Sequence, residues 1–160
     1  MKTIILMTAM FLTVALSGSA AEAGRILFNG TIEASESVQI FGDPPLFSVL
    51  GSGTATTTQL GQFTMLYTLI ALESQEVAIG ASNYIAANGV DIIYTYISSG
   101  VATPTGDPDV VSIVETETIT GGTGRYADAR GSFTLNRLAN VVTGATTGSF
   151  NGTIILRGNH

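Results

Sequence analysis

Cysteine is absent from the whole 160-residue chain. That removes disulfides, thiolate zinc sites and cysteine nucleophiles together, so the fold must rely on packing or association. Histidine is nearly absent too. His160, the final residue, is the only one, so a Ser-His-Asp triad or an imidazole metal site has nothing to build on. Lysine occurs once, at Lys2, and the arginines Arg25, Arg125, Arg130, Arg137 and Arg157 are scattered. Against 12 acidic residues these give a net charge of −6, and the electrostatic footprint of nucleic-acid binding is missing. No motif implies a metal or an organic cofactor. With 11% charged residues, much of the surface must be uncharged, which suits a homo-oligomer or a Ser/Thr-rich exterior.

Long apolar runs are also missing, apart from one at the N-terminus. Lys2 precedes Ile4 to Leu16, a run broken only by Thr8 and Thr13. It is shorter than the ~20 residues a bilayer span needs. Small residues follow from Ser17 to Ala23, and Ala21-Glu22-Ala23 best matches a cleavage site. Cutting after Ala20 or Ala21 fits as well. Residues 1–23 therefore read as a signal peptide, and residues 24–160 as one exported domain, secreted or periplasmic, with no membrane span. No cysteine marks a lipid-attachment site.

What the remaining chain does contain is short apolar and β-branched runs, punctuated by Gly, Asn, Asp and Pro. Eight runs read as strands: Arg25 to Ala34, Leu46 to Thr57, Gln62 to Leu72, Glu76 to Ala87, Val90 to Ser99, Val110 to Thr120, Ala129 to Leu138 and Thr147 to Arg157. The breaks include Gly42-Asp43-Pro44-Pro45, Glu73-Ser74-Gln75, the hairpin signal Asn88-Gly89, and a polar loop from Gly100 to Asp109. The expected fold is all-β: an eight-stranded antiparallel up-and-down barrel, calycin-like, following the signal peptide. Closure would remove the aggregation-prone edges of such Val/Ile/Thr-rich strands. An immunoglobulin-like sandwich is the alternative, without the Trp and Cys pair that would support it. One echo favours closure. Phe28-Asn29-Gly30-Thr31-Ile32 recurs as Phe150-Asn151-Gly152-Thr153-Ile154, as neighbouring first and last strands would allow.

Two segments carry a family resemblance. One is Gly51-Ser52-Gly53-Thr54-Ala55-Thr56 with Leu60-Gly61-Gln62-Phe63-Thr64. The other is Gly121-Gly122-Thr123-Gly124-Arg125-Tyr126-Ala127-Asp128-Ala129-Arg130-Gly131. This glycine-rich segment is similar to the GGTG-x-F-x-x-A-x-G turn of the allene oxide cyclase and dirigent-like barrel superfamily. Together the two segments resemble its secreted bacterial branch. Read physically, Gly121, Gly122 and Gly124 permit a tight reversal, Tyr126 has the spacing to plug a barrel end, and Gly131 lets the next strand approach closely. A phosphate loop would need a helix after the turn and usually a lysine. The resemblance implies a calycin-type barrel, often a trimer, that holds an apolar small molecule in a shaped cavity. Superfamily members close rings on reactive epoxides or steer phenoxy-radical coupling. The N-terminal strands diverge from those of the plant cyclases, so their catalytic acid and water-ordering residues are not carried over to this chain, and kinship of fold does not transfer the activity.

Glu115 and Glu117 are the candidate catalytic acids. They alternate with Thr116 and Thr118, so both project from one face of a strand together with Val111, Ile113 and Ile119. Inside a barrel they would be acids of raised pKa, suited to proton transfer. The cost of burying unpaired carboxylates instead favours the exterior or the rim. Tyr67, Tyr84, Tyr94 and Tyr96 lie in three consecutive strands and are the candidate ligand-binding residues, with core or interface packing as the plainer reading. Asp91 reads as a turn stabiliser. Asp107 and Asp109 around Pro108 are too sparse for calcium. Asn29 and Asn151 match glycosylation sequons but fall in strands. Three functions remain open: a barrel that binds an apolar small molecule, a cyclase or isomerase of the same superfamily, and a solid structural or interaction barrel. With no Cys, one terminal His160 and one Lys in the signal peptide, hydrolysis and covalent catalysis are disfavoured.

Overall fold

Two-residue alternation turns nearly the whole chain into strands. Along Gly61–Leu72, Phe63, Met65, Tyr67 and Leu69 are buried, while Gln62, Thr64, Leu66, Thr68 and Ile70 are exposed. Such a segment hides one face and wets the other only when extended. The computed structural model describes residues 24–72 and 78–156. The expected signal peptide, the turn at Glu73-Ser74-Gln75 and the terminal His160 lie outside the described residues.

In chain order the strands are β1 (Gly24–Leu27), β2 (Gly30–Phe41), β3 (Leu46–Thr57), β4 (Gly61–Leu72), β5 (Ala78–Ala86), β6 (Ile92–Pro104), β7 (Val110–Gly122), β8 (Arg130–Asn140) and β9 (Ala145–Leu156). From β2 onward each strand pairs antiparallel with the next, and β9 returns to pair with β2. β1 and β2 form one stave. Leu27 faces Thr153 and Gly30 faces Phe150, a single register along β9. The result is a closed eight-stranded up-and-down barrel, and the sandwich alternative falls away because all the strands belong to one sheet.

The closing seam explains the repeated pentapeptides. Across the gap between β1 and β2, the Phe28 N–H donates to the Gly152 carbonyl at 2.9 Å. The Gly152 N–H donates to Asn29 Oδ1 at 3.1 Å. The two repeats therefore lie against each other, with the Phe28 and Phe150 ring centres 5.0 Å apart. A Cβ on Gly30 would stand 2.7 Å from the Phe150 ring, so glycine makes the room the ring occupies.

Two strands run further than the sequence suggests. β2 continues past Ala34 because Val38 and Ile40 sustain its alternation, paired with Val49 and Phe47. β6 continues through Gly100 to Pro104, taking up a register shift between Ile97 and Ser99 as a bulge. Pro104 sits at the strand's last residue, where a missing N–H breaks no interior ladder bond.

The glycine-rich reversal after β7 leads into one 3-10 turn, Gly124–Tyr126, and then β8, so there is no helix for a phosphate to cap. Gly121, Gly124 and Gly131 have φ of +147°, +55° and +148°. A Cβ on Gly124 would also lie 1.9 Å from Asp91 Oδ1, which accepts the Arg125 N–H at 3.1 Å. The Asn88-Gly89 turn and the glycine-rich turn are thus clasped by Asp91. Its carboxyl is held below the usual range, first by that backbone hydrogen bond and then by the Asn88 amide.

The barrel interior has two unlike ends. Phe28, Phe63, Tyr84, Phe133 and Phe150 fill one end, with Phe28 meeting Phe133 edge-on at 5.1 Å. Tyr126 is fully buried against Phe63 at 6.0 Å and packs over this end. The other end carries charge.

Candidate functional site: a buried acid–arginine–tyrosine cluster

Glu115 and Glu117 point into the barrel, 2% and 1% exposed, contrary to the expectation that unpaired carboxylates would stay outside or at the rim. The desolvation argument fails for Glu115 because it is not unpaired. Arg137, buried on β8, donates to it twice: Nε to Oε2 at 2.9 Å and Nη2 to Oε1 at 3.0 Å. Such a planar, two-point pairing is what a guanidinium does best. Arg137 Nη1 reaches Glu36 on β2 and, at 3.4 Å, Thr146 Oγ1 on β9. Tyr67 donates its hydroxyl to Glu36 Oε1 at 2.5 Å. Burial alone would lower the Arg137 pKa. The hydrogen bonds and charge of Glu115, with the charge of Glu36, outweigh it and push it up.

Local sequence builds this geometry. Ile113 and Arg137 are directly paired across β7 and β8, which puts Glu115, two residues along the same face, within diagonal reach of the guanidinium. Gly148 on β9 faces Arg137, and a Cβ there would meet Arg137 Cβ at 2.7 Å. Gly51 does the same for Tyr67: a Cβ would fall 1.9 Å from the ring's Cζ. Gly51 is therefore the cradle of the Tyr67 ring, whereas a Cβ on Gly53 would meet Ala34.

Glu117 is held differently. Thr95 donates to Oε2 at 2.5 Å and Tyr84 to Oε1 at 3.2 Å. Among the described residues no cation pairs with it. Desolvation raises its pKa to about 7, with the Thr95 hydrogen bond opposing and the Glu115 charge adding. The Tyr84 hydroxyl is raised as well, by burial first and by Glu117 second. Burial and the Glu36 hydrogen bond likewise raise Tyr67. The cluster is thus an ion-paired triad, Glu36–Arg137–Glu115, beside a carboxyl that changes protonation near neutral pH. Between them lies a void of about 10 Å³, lined in part by Tyr67, Ser82, Glu117 and Arg137. It is wide enough for one water at most.

On the far side of the triad the interior face continues into an apolar collar. Val38 and Ile40 share the face of Glu36 yet are 50% and 62% exposed. Phe47, Val111 and Ile113 continue the collar, half-buried. From this end inward, the lining passes from these apolar residues to the Glu36–Arg137 pair.

The four candidate tyrosines separate into two pairs. Tyr67 and Tyr84 join the cluster. Tyr94 and Tyr96 lie on the outer wall, 38% and 46% exposed, because Ile93, Thr95 and Ile97 take the inward positions of β6. Sequence reasoning missed Glu36, Thr95, Arg137 and Thr146. Arg137 keeps the two-residue register of its strand after Phe133 and Leu135, so its inward assignment was available from alternation alone. Asp107 and Asp109 sit in an exposed turn where Asp107 Oδ1 accepts the Asp109 N–H at 2.9 Å. Among the described residues no helix is long and apolar enough to cross a membrane. Comparison with protein-family models, curated proteins and solved structures finds no match.

Proposed function

We propose that the protein is an exported barrel of the allene oxide cyclase and dirigent-like kind that binds an apolar small molecule with one hydrogen-bonding group. The apolar body sits in the collar of Val38, Ile40, Phe47, Val111 and Ile113. The polar group meets Glu36 and Arg137, with Glu117 behind them. The observation that carries this reading is Glu117 itself. A buried carboxyl without a cation is costly, and a barrel filled only for stability would place a leucine or methionine there. Such groups cluster where a protein handles ligands or protons. The internal void of about 10 Å³ is too small for an organic ligand, so the ligand occupies the collar and meets the cluster at its Glu36–Arg137 face.

A second reading, an isomerase or cyclase, draws on the same residue. A carboxyl with a pKa near 7, hydrogen-bonded to Tyr84, suits general acid–base transfer at neutral pH. Ring closure that needs positioning and one proton would ask no more of the site.

Native mass spectrometry of the protein from its host's exported fraction tests both readings. A copurified apolar mass supports binding, and the intact mass reports whether the chain was cut after Ala20, Ala21 or Ala23. A species of three chains supports the trimer that the resemblance implies. Glu117→Gln then separates the readings: ligand retained with turnover lost means catalysis, and both retained means binding alone. A ligand-free protein whose Glu117→Leu variant is more stable would sink both in favour of a solid barrel.

A further inference from the structure

Outside the barrel, a separate feature points to a different ligand. An open trough of about 580 Å³ crosses the outer faces of β2 to β5, within the size range of small-molecule sites. Its residues fall in two rows set by the strand register. Ser35, Ser52, Leu66 and Asn83 face one another across four strands, and Tyr94 on β6 continues the row. Ser37, Leu50, Thr68 and Ala81 form the next, continued by Tyr96. Neighbouring strands lie about 4.8 Å apart, so five strands span about 19 Å, longer than one sugar ring.

The chemistry of this surface is specific. β3, β4, β5 and β6 contain no charged residue at all. The trough offers hydroxyls from Ser35, Ser37, Ser52 and Thr68 and the amide of Asn83, groups that both donate and accept. Leu50 and Leu66, 56% and 43% exposed, add apolar patches between them. At the β6 end stand two exposed tyrosine rings, flat apolar faces with a polar tip. Glu36 and Tyr67 also line the trough, but the Glu36 carboxylate is engaged inward by Arg137 and by the Tyr67 hydroxyl. The outward side chains therefore offer an anion or a cation no charged partner, and a purely apolar ligand leaves the hydroxyls and amide unsatisfied. A neutral sugar chain matches both halves: its C–H faces stack on tyrosine and leucine, and its hydroxyls pair with Ser, Thr and Asn.

We propose that the outer trough of β2 to β5, with Tyr94 and Tyr96 at its end, binds a neutral oligosaccharide. The trough adjoins the interior cluster through Glu36 and Tyr67, but the residues varied in its test, Ser52, Tyr94 and Tyr96, lie outside that cluster. The experiment is affinity gel electrophoresis of the folded protein through gels containing barley β-glucan, galactomannan or pullulan. Retardation by at least one polymer is expected. The Tyr94→Ala/Tyr96→Ala double variant should lose it by tenfold or more in apparent affinity. Ser52→Arg, which puts a charge and bulk into the trough without altering the core, should do the same. No retardation in any of the three gels, or retardation that both variants leave unchanged, overturns the proposal. Sedimentation velocity of Ser52→Arg covers the remaining occupant. If the variant dissociates an oligomer while sugar binding is absent, the face belongs to a second copy of the chain and the proposal fails.

Discussion

At the end covered by Tyr126, aromatic rings meet edge-on or tilted and carry no charged side chain among them. At the other end, one arginine and three glutamates occupy the same kind of inward position on the same kind of strand. The first arrangement gains from leaving water and needs no partner in a particular place. The second is tolerable only because every charge but one is matched, through hydrogen bonds that must arrive from β2, β7 and β8 together. Stability is concentrated at the aromatic end, and chemistry at the ionic end. Removing one member should therefore hurt at both ends, but only the ionic end should recover when its charges are removed as a set.

Two substitutions with the largest expected effect test that contrast. Arg137→Met strands Glu115 and Glu36 in the interior and should cost about 3–5 kcal/mol in urea unfolding. The triple variant Glu36→Gln/Glu115→Met/Arg137→Met should return to the wild-type midpoint or exceed it. A triple variant as weak as the single one would show that the ionic end supports the fold after all. At the aromatic end, Phe133→Ala should cost about 3–5 kcal/mol, with a cavity that no additional polar-to-apolar change can repair.

A smaller effect sharpens the picture of Glu117. Its folded pKa of about 7 lies above the ordinary 4.5, so the folded state holds the proton more tightly than the unfolded chain. Its contribution is fully present below about pH 4.5 and is lost as pH rises through about 7, amounting to about 3 kcal/mol. Urea midpoints at pH 5 and pH 8 should fall in that order, and Glu117→Gln should flatten the difference. An equal slope in the variant would assign the pH dependence to other groups. Smallest is Gly51→Ala, whose methyl group collides with the Tyr67 ring. It should cost about 1–3 kcal/mol and loosen the Tyr67–Glu36 hydrogen bond.

The barrel was legible because its signals are local: alternation, the Asn88-Gly89 hairpin and the glycine-rich reversal. Closure was legible through the repeated pentapeptide, which one seam explains. The site was legible only in part. Glu115 and Glu117 stood out as two acids on one face, but their burial did not follow, because the partner that makes Glu115 tolerable lies 22 residues away on β8 and Glu36 lies on β2. A reading that weighs each carboxyl alone counts only its desolvation. Tyr94 and Tyr96 misled for another reason. β6 is apolar or aromatic on both faces, so hydrophobicity could not say which face was inside. Glu36 was lost with the strand that carries it, since Ser35 and Ser37 give that stretch the composition of a turn.

The seam between Asn29 and Gly152 joins positions 123 residues apart, whereas the other neighbouring strands follow one another along the chain. Bringing such distant segments together carries the largest loop-closure entropy in the molecule, which predicts that the meander forms before the seam. A chain with the seam unmade would be a curled sheet with β2 and β9 as two bare edges. The paired Phe28 and Phe150 rings act as the latch that ends this exposure. In pulsed hydrogen exchange during refolding, the Phe28 and Gly152 amides should gain protection after those of β4 and β5. A chain whose latch is loosened should fail by aggregating during assembly, before any loss is visible in the finished barrel.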